Sequence, residues 1–247
     1  MNVAVCIRQT PDTEAAIQIA PDERTVLDGG MHWIISPHDE TAVEQALRLV
    51  EENGGLVTVY SLGPPRVDKA LREALAMGAD RGVRLDCDDM PVDPAVVAYA
   101  LAHVLGEYDL ILTGEQAIDH ANAQVPQRIA AILGRACVTA VEELSIDGKD
   151  CTARRVVEGG EEIVRCTLPA VIGTNRRLME PRYPSFRNIM RAKKKPIDVQ
   201  TTELGESALE ILRLRYANDR VAGRRLPFDD TVPDRLAQLL RDEAKVI

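Results

Sequence analysis

Between Asn2 and Leu133 short apolar runs alternate with stretches whose apolar residues recur at helical spacing, and Gly or Pro stands at most of the joints. No other feature limits the possible folds as much. A short apolar run bounded by turn residues suits a strand buried on both faces. A strand–helix–strand repeat with short connections lays such strands side by side in parallel, with helices on both faces. NVAVCI is the first run, followed by Arg8 and the turn-prone pair Pro11-Asp12. SPHDETAVEQALRLVEENGG then reads as a helix, with Ser36 as cap, Pro37 at its first position and Gly54-Gly55 as its stop. Asp39 and Glu40 favour the positive end of its dipole, and Val43, Ala46, Leu47 and Val50 keep the helical spacing.

The pattern then repeats. LVTVYSL is a buried strand, and Gly63-Pro64 turns into a helix ended by Gly78 whose inner face is Val67, Ala70, Leu71, Ala74 and Leu75. GVRLD is followed by the helix DPAVVAYALAHVLGE, with Val97, Leu101, Val104 and Leu105 inward. YDLILTG is the most apolar strand, and AQVPQRIAAILG closes the series as a helix with Pro126 in its first turn. After residue 140, VEELSIDGKDCTARRVVEGGEEIVRCTLPAVIGT alternates around Asp-Gly and Gly-Gly turns, as antiparallel strands joined by hairpins do. Beyond Thr201 the pattern thins to a charged tail with one late helix, PDRLAQLLRDEA, in which Leu236, Leu239 and Leu240 share a side. The expected fold class is α/β: a mainly parallel, doubly wound sheet with an antiparallel hairpin addition and an extended C-terminal arm. Residues 1–201 form the body and 202–247 the arm. A stretch as bare as 202–230 is rarely self-sufficient, so the arm reads as made to lie on something else.

Composition narrows the function classes. Hydrophobic residues make up 45% of the 247 and aromatics only 3%, so the core is aliphatic. A net charge of −9 argues against nonspecific nucleic-acid binding. No apolar run approaches the ~20 residues that span a bilayer, and MNVAVCIRQTPD lacks the basic and apolar parts of a signal peptide. Five cysteines with no CxxC pair point to a reducing cytoplasm rather than to disulfides or a zinc site.

In an open parallel sheet, ligands bind beyond the carboxyl ends of the strands. IRQTPD, YSLGPP and TGEQAIDHANAQ arrive there. The last holds Gly114, two carboxylates, two amides and Asn122 before a helix start, which suits a nucleotide's phosphates and ribose. The plainer alternative, equally weighted on spacing alone, is that Asp119 and Asn122 cap the helix and Gly114 makes a turn. GxGxxG, GxxxxGK[ST] and GxSxG are absent. His32, His38, His103 and His120 have no metal-ligand spacing, with His103 placed on a helix surface, and no catalytic residues or metal site are expected. One further segment stands out. YPSFRNIMRAKKKPI, residues 183–197, sets apolar residues beside five basic ones in an acidic chain. Its plainer reading is a solvated helix end with Phe186 and Ile189 tucked into the core.

Taken in order, ISPHDETAVEQALRL, SLGPPRVDKALREALAMGADRGV, TGEQAID, EGGEEIVRCTLPAVIGT, EPRYPSF and NIMRAKKKPI resemble the β subunit of electron transfer flavoproteins, from the first strand to about residue 205. The resemblance implies an α/β fold of the adenine nucleotide alpha hydrolase-like kind and a heterodimer. In it a larger α subunit carries the redox FAD, at the interface, and the β subunit buttresses that flavin and holds a second nucleotide. The second nucleotide is AMP in most members and a second FAD, accepting hydride from NADH, in the electron-bifurcating ones. Carried over by position, its contacts are Cys6, Ser36 and Leu62. The stretch with Gly114, Gln116, Asp119, Asn122, Ala123, Gln124 and Val125 holds the phosphates and ribose. AMP-type members read like AIDDDxNQTGQ and bifurcating members like AIDGDTAQVGP. AIDHANAQVPQ shares Ala123-Gln124-Val125 with the second kind, but has His120-Ala121 for its Gly-Asp and Pro126 for its Gly. Both ligands stay open, with a lean towards the bifurcating kind. Near the first loop, where the family often sets an aromatic against the flavin, this chain has Thr13.

The same resemblance makes residues 183–197 the recognition loop that docks on partner dehydrogenases. Phe186 stands where the family usually has a Leu anchor, with Tyr183, Ile189 and Met190 beside it. Lys193, Lys194 and Lys195 add attraction for an acidic partner, which speeds encounter more than it tightens binding. The implied donors are flavin dehydrogenases such as acyl-CoA dehydrogenases, and the implied acceptor is a quinone-linked oxidoreductase. The arm, 202–247, wraps the α subunit. Three readings follow: an electron-carrier subunit without chemistry of its own, a bifurcating subunit that oxidises NADH, and a standalone adenine-nucleotide-binding protein of the stress-protein type.

Overall fold

The computed structural model describes residues 1–217 and 223–247; the part of the expected arm at 218–222 lies outside the described residues. In chain order the elements are β1 (Asn2–Cys6), β2 (Gln9–Pro11), β3 (Trp33–Ile35), α1 (Pro37–Asn53), β4 (Leu56–Gly63), α2 (Asp68–Met77), β5 (Arg81–Asp86), α3 (Pro94–Leu105) and β6 (Leu110–Gly114). There follow α4 (Val125–Leu133), β7 (Ala136–Asp147), β8 (Asp150–Val157), β9 (Gly160–Thr167), β10 (Ala170–Thr174), α5 (Phe186–Ala192), β11 (Ile197–Thr201) and α6 (Val232–Asp242). A nine-stranded sheet has the order β11-β5-β4-β1-β6-β10-β7-β8-β9. From β11 to β7 every neighbouring pair is parallel, and β7-β8-β9 is an antiparallel meander. The α/β class is as expected.

The double winding follows from the strands themselves. In β1, Val3 and Val5 point into a core shared with Leu47 of α1 and Leu71 of α2. Ala4 and Cys6 point into the opposite core, shared with Leu101 of α3 and Ile129 of α4. Successive side chains of a strand face opposite ways, so an all-apolar strand fills two cores at once.

Two departures from the sequence reading concern strand placement. LPAVIGT does not continue the hairpins. Its strand, β10, is inserted parallel between β6 and β7, with Ala170 level with Leu110 on one side and Ala136 on the other. All five of its residues are buried, and an unbroken apolar run marks a doubly covered strand rather than an alternating hairpin arm. IDVQT, read only as the end of the basic segment, forms β11 and lengthens the parallel sheet beside β5.

The tail also departs in part from expectation, because residues 205–216 lie on their own chain. Ala208 N–H donates to Asp93 Oδ2 (2.9 Å), the Tyr216 hydroxyl accepts from Ile19 N–H (2.9 Å), and Arg213 pairs with Glu23 at 2.8 Å. Helix α6 is different, since none of its residues is buried. No helix among the described residues is long and apolar enough to cross a membrane.

Candidate functional site

The strand order reverses between β1 and β6: from β1 the chain first builds outward through β4 and β5, then returns to the other side with β6. Such a reversal opens a crevice beyond the carboxyl ends of the strands. A cleft lies there, holding about 710 Å³ of non-protein space with its open mouth included.

Its floor is made by Asp39 from the first turn of α1. This buried carboxylate accepts the Arg8 N–H through Oδ2 (2.8 Å) and the Gly114 N–H through Oδ1 (2.7 Å), tying the ends of β1 and β6 together. Burial pushes its pKa up to about 7, against the opposing pull of those two donors. Gly114 is required by this approach. A Cβ there would lie 2.6 Å from both Asp39 Oδ1 and His38 Cβ. The plainer reading of Gly114 as a turn residue is thus corrected, since it ends β6, and its N–H is already spent on Asp39.

The mouth carries the charge. The Arg8 guanidinium pairs with Asp119 (2.8 Å) and lies 3.3 Å from His120 Nδ1. Burial, then the neighbouring Arg8, holds the His120 imidazole below its usual range. Asp119 is therefore not a helix cap. The residue before α4 is Gln124, which makes no side-chain cap bond, so the first N–H groups of α4 are left for another acceptor. Before it, Ala121 and Ala123 take φ of +48° and +49°, left-handed values that are costly for alanine. Asn122 lies between them and lines the cleft without capping. The opposite wall is apolar: Leu62, Met90, Pro91, Val92, Val97 and Leu101.

Of the ten residues expected at a nucleotide, Cys6, Leu62, Gly114, Gln116, Asn122, Gln124 and Val125 line the cleft. Asp119 acts on it through Arg8. Ala123 shapes the loop from outside, exposed to solvent. Ser36 lies beneath the wall, fully buried; it holds the cap position of α1, but its hydroxyl makes no cap bond and has no partner. The Cys6 thiol is held protonated by burial, with Asp39 adding to the effect. Arg8, Asp39 and His120 were missed. Arg8 carried a signal, as the first residue after the first apolar run. Asp39 did not, because it reads equally well as an exposed partner of the helix dipole. The histidines dismissed on spacing divide: His103 is exposed on α3, whereas His38 is buried 3.6 Å from Glu115 and His120 lines the cleft.

A second surface lies on α5 and the segment before it. Tyr183 and Phe186 are 93% and 78% exposed, and Ile189 and Met190 lie open beside them. The plainer alternative, that Phe186 and Ile189 tuck into the core, is overturned, because α5 turns only Ala192 inward. Lys193 and Lys194 are exposed, whereas Lys195 is half-buried and its ammonium donates to Ala79 O (2.6 Å). Near the first loop, Trp33 takes the Arg66 guanidinium 3.7 Å above its ring.

A family model described as an electron transfer flavoprotein domain matches residues 24–204. The chain is 38% identical to the electron transfer flavoprotein subunit beta of Bacillus subtilis, with all of both chains covered. It is 37% identical to the subunit of that name from Syntrophomonas wolfei, over all of this chain and 98% of that one. The chain belongs to the electron transfer flavoprotein β-subunit family. The matched domain ends three residues after β11, so α6 lies outside it, while full-length relatives extend through the tail.

Proposed function

We propose that this chain is the nucleotide-holding subunit of a cytoplasmic, heterodimeric electron carrier whose larger α subunit binds the redox FAD. The observation that carries this reading is the cleft at the β1/β6 reversal, into which α4 turns an N-terminus without a side-chain cap. An uncapped helix start favours an anion, and Arg8 at the mouth adds a positive charge. The apolar wall suits the flat face of an adenine. The phosphates fall to the N–H groups of Val125 and Gln127, with Asn122 and Gln124 beside them; Pro126, between them, has no N–H to offer. AMP in this cleft has a structural role. The FAD bound with the α subunit supplies the one-electron chemistry, and this chain holds and orients it and docks the donor.

Within the arm, residues 202–247, the exposed end that carries α6 is assigned to wrapping the α subunit, and residues 183–197 to docking on flavin dehydrogenases such as acyl-CoA dehydrogenases, with a quinone-linked oxidoreductase as acceptor. A second reading, in which the cleft holds another FAD that oxidises NADH, is favoured by one observation. Val125, the first residue of α4, has no hydroxyl to offer a phosphate. Nucleotide extraction from the purified heterodimer tests both. One FAD and one AMP per heterodimer fits the carrier, and two FAD would establish the bifurcating form. A chain that is monodisperse alone and carries a nucleotide without a mate would sink both.

A further inference from the structure

The segment running from Pro181 to Pro196 leaves the body, exposes an apolar face and returns, and an arginine holds each end. At the front, the Arg182 N–H and Nε both reach Glu44 Oε2, at 3.2 and 2.7 Å, and Nη2 reaches Glu44 Oε1 at 3.2 Å. The same guanidinium pairs with Glu51. Glu44 is buried on α1, and its carboxylate is held ionised below the usual range despite burial because Arg182 and Arg48 bond to it. At the back, Arg72 of α2 donates through one nitrogen to the carbonyls of Ala192 (3.0 Å), Lys193 (3.3 Å) and Lys195 (3.2 Å). Ala192 ends α5 and its carbonyl also accepts the Lys195 N–H (3.2 Å), while Lys193 and Lys195 lie in the turn beyond, so Arg72 gathers the carbonyls where the helix gives way to the returning chain.

Between the clamps, Ser185 Oγ accepts the Asn188 N–H (3.2 Å), and Phe186, Ile189 and Met190 fall on one exposed face. A seven-residue helix does not persist by itself in water, and α5 buries only Ala192. It rests on α2 through that one side chain, so its order depends on this contact together with the holds at its two ends.

We propose that Arg182 and Arg72 are positioning residues that hold this segment in its docking conformation before the electron-donating flavin dehydrogenase arrives. The inference rests on the docking role assigned above. A segment already ordered loses less freedom on association, so preorganisation appears as tighter docking without new contacts. The planar fork of arginine suits both tasks, gripping a carboxylate from two directions at one end and gathering several carbonyls at the other.

The test uses heterodimers carrying Arg72→Met or Arg182→Met, reduced by an acyl-CoA dehydrogenase that reduces the unmodified heterodimer. Each variant is expected to need at least tenfold more carrier for half-maximal rate, with the limiting rate within twofold and the flavin spectrum unchanged. Hydrogen exchange of the amides of residues 188–192 is expected to quicken at least tenfold, while those of β1 and β6 stay protected. Because Arg182→Met leaves Glu44 with one partner fewer, Glu44→Gln/Arg182→Met serves as its charge-balanced counterpart and is expected to behave alike. An unmoved KM would overturn the proposal. So would a rise in KM accompanied by equal loss of protection in β1 and β6, the mark of a merely structural role. Failure of the docking role itself is read separately: a Phe186→Ala heterodimer reduced as readily as the unmodified one removes it, whatever the arginine variants do.

Discussion

Helices α1 and α6 are both amphipathic, yet ten of the seventeen residues of α1 are buried and none of the eleven of α6 is. Helix α1 lies across the parallel strands, where Val43, Ala46 and Leu47 meet the aliphatic face of β1 and β4. Helix α6 carries Leu236, Leu239 and Leu240, with Leu236 45% exposed. The contrast teaches that an apolar stripe states a need for a partner surface without saying on which chain that surface lies. Leu209, Leu212 and Phe228 in the same tail are likewise exposed, whereas the body buries most of its large aliphatics and leaves scattered ones such as Leu56 and Ile163 open.

The sharpest way to break the comparison is to spoil the seat of α1. Gly114→Ala drives a Cβ into Asp39 and His38, and overpacking there is expected to cost roughly 3 kcal/mol, read as a lower urea midpoint. Gly106→Ala meets no atom within 4 Å and is expected to leave that midpoint in place. A midpoint equally unmoved in Gly114→Ala would mean that α1 is not seated by this contact.

Comparable in size is the pH dependence of the same seat. Asp39 in the folded chain holds its proton up to about pH 7, well above the ordinary carboxylate value of 3.8. Between about pH 4 and 7 the unfolded chain therefore releases a proton that the folded chain keeps, and stability falls as pH rises. Arg8 and Asp119, the charges facing Asp39, are present in both proteins of the comparison. Asp39→Asn removes this titration, so the stability of the unmodified chain relative to the variant is expected to drop by roughly 3 kcal/mol from pH 4 to 7. A flat difference across that window would place the carboxylate in contact with water.

With an acyl-CoA dehydrogenase that reduces the unmodified heterodimer, Phe186→Ala on the proposed docking side is expected to slow reduction about tenfold at low carrier concentration, equivalent to roughly 1.4 kcal/mol. The flavin spectrum should stay as it was. Smallest of all is the effect on α6. Leu236→Ala in the isolated chain is expected to change stability by less than about 0.5 kcal/mol, against roughly 3 kcal/mol for Leu47→Ala in α1. In the heterodimer the gap should narrow, and a Leu236→Ala effect that stays negligible there would show that α6 gains no partner surface on assembly.

Much of the body was legible because its signals are local. The i, i+3, i+4 spacing of Val43, Ala46 and Leu47, the stops at Gly54, Gly78 and Gly134, and Pro37 and Pro126 in first turns all recur in the structure. The site was legible in outline, because loops at the carboxyl ends of parallel strands are where such a fold opens. Its electrostatics were not. Spacing leaves Asp119 open as a helix cap or a nucleotide contact, and only the structure shows it gripping Arg8, 111 residues away; nor does spacing show that the Lys195 ammonium bonds to the Ala79 carbonyl.

The sequence by itself determined the alternating elements, the aliphatic core and the stretch of chain that reaches the cleft, since each depends on residue order within a turn or a strand. The tertiary structure alone decided that β10 slides in parallel beside β6, that Asp39 is sealed between two strand ends, and that Arg72 and Arg182 pin the two ends of the segment carrying α5. These depend on which distant segments share one small volume. Burial and pairing across such distances arise only when the sheet has closed, and no local period records them.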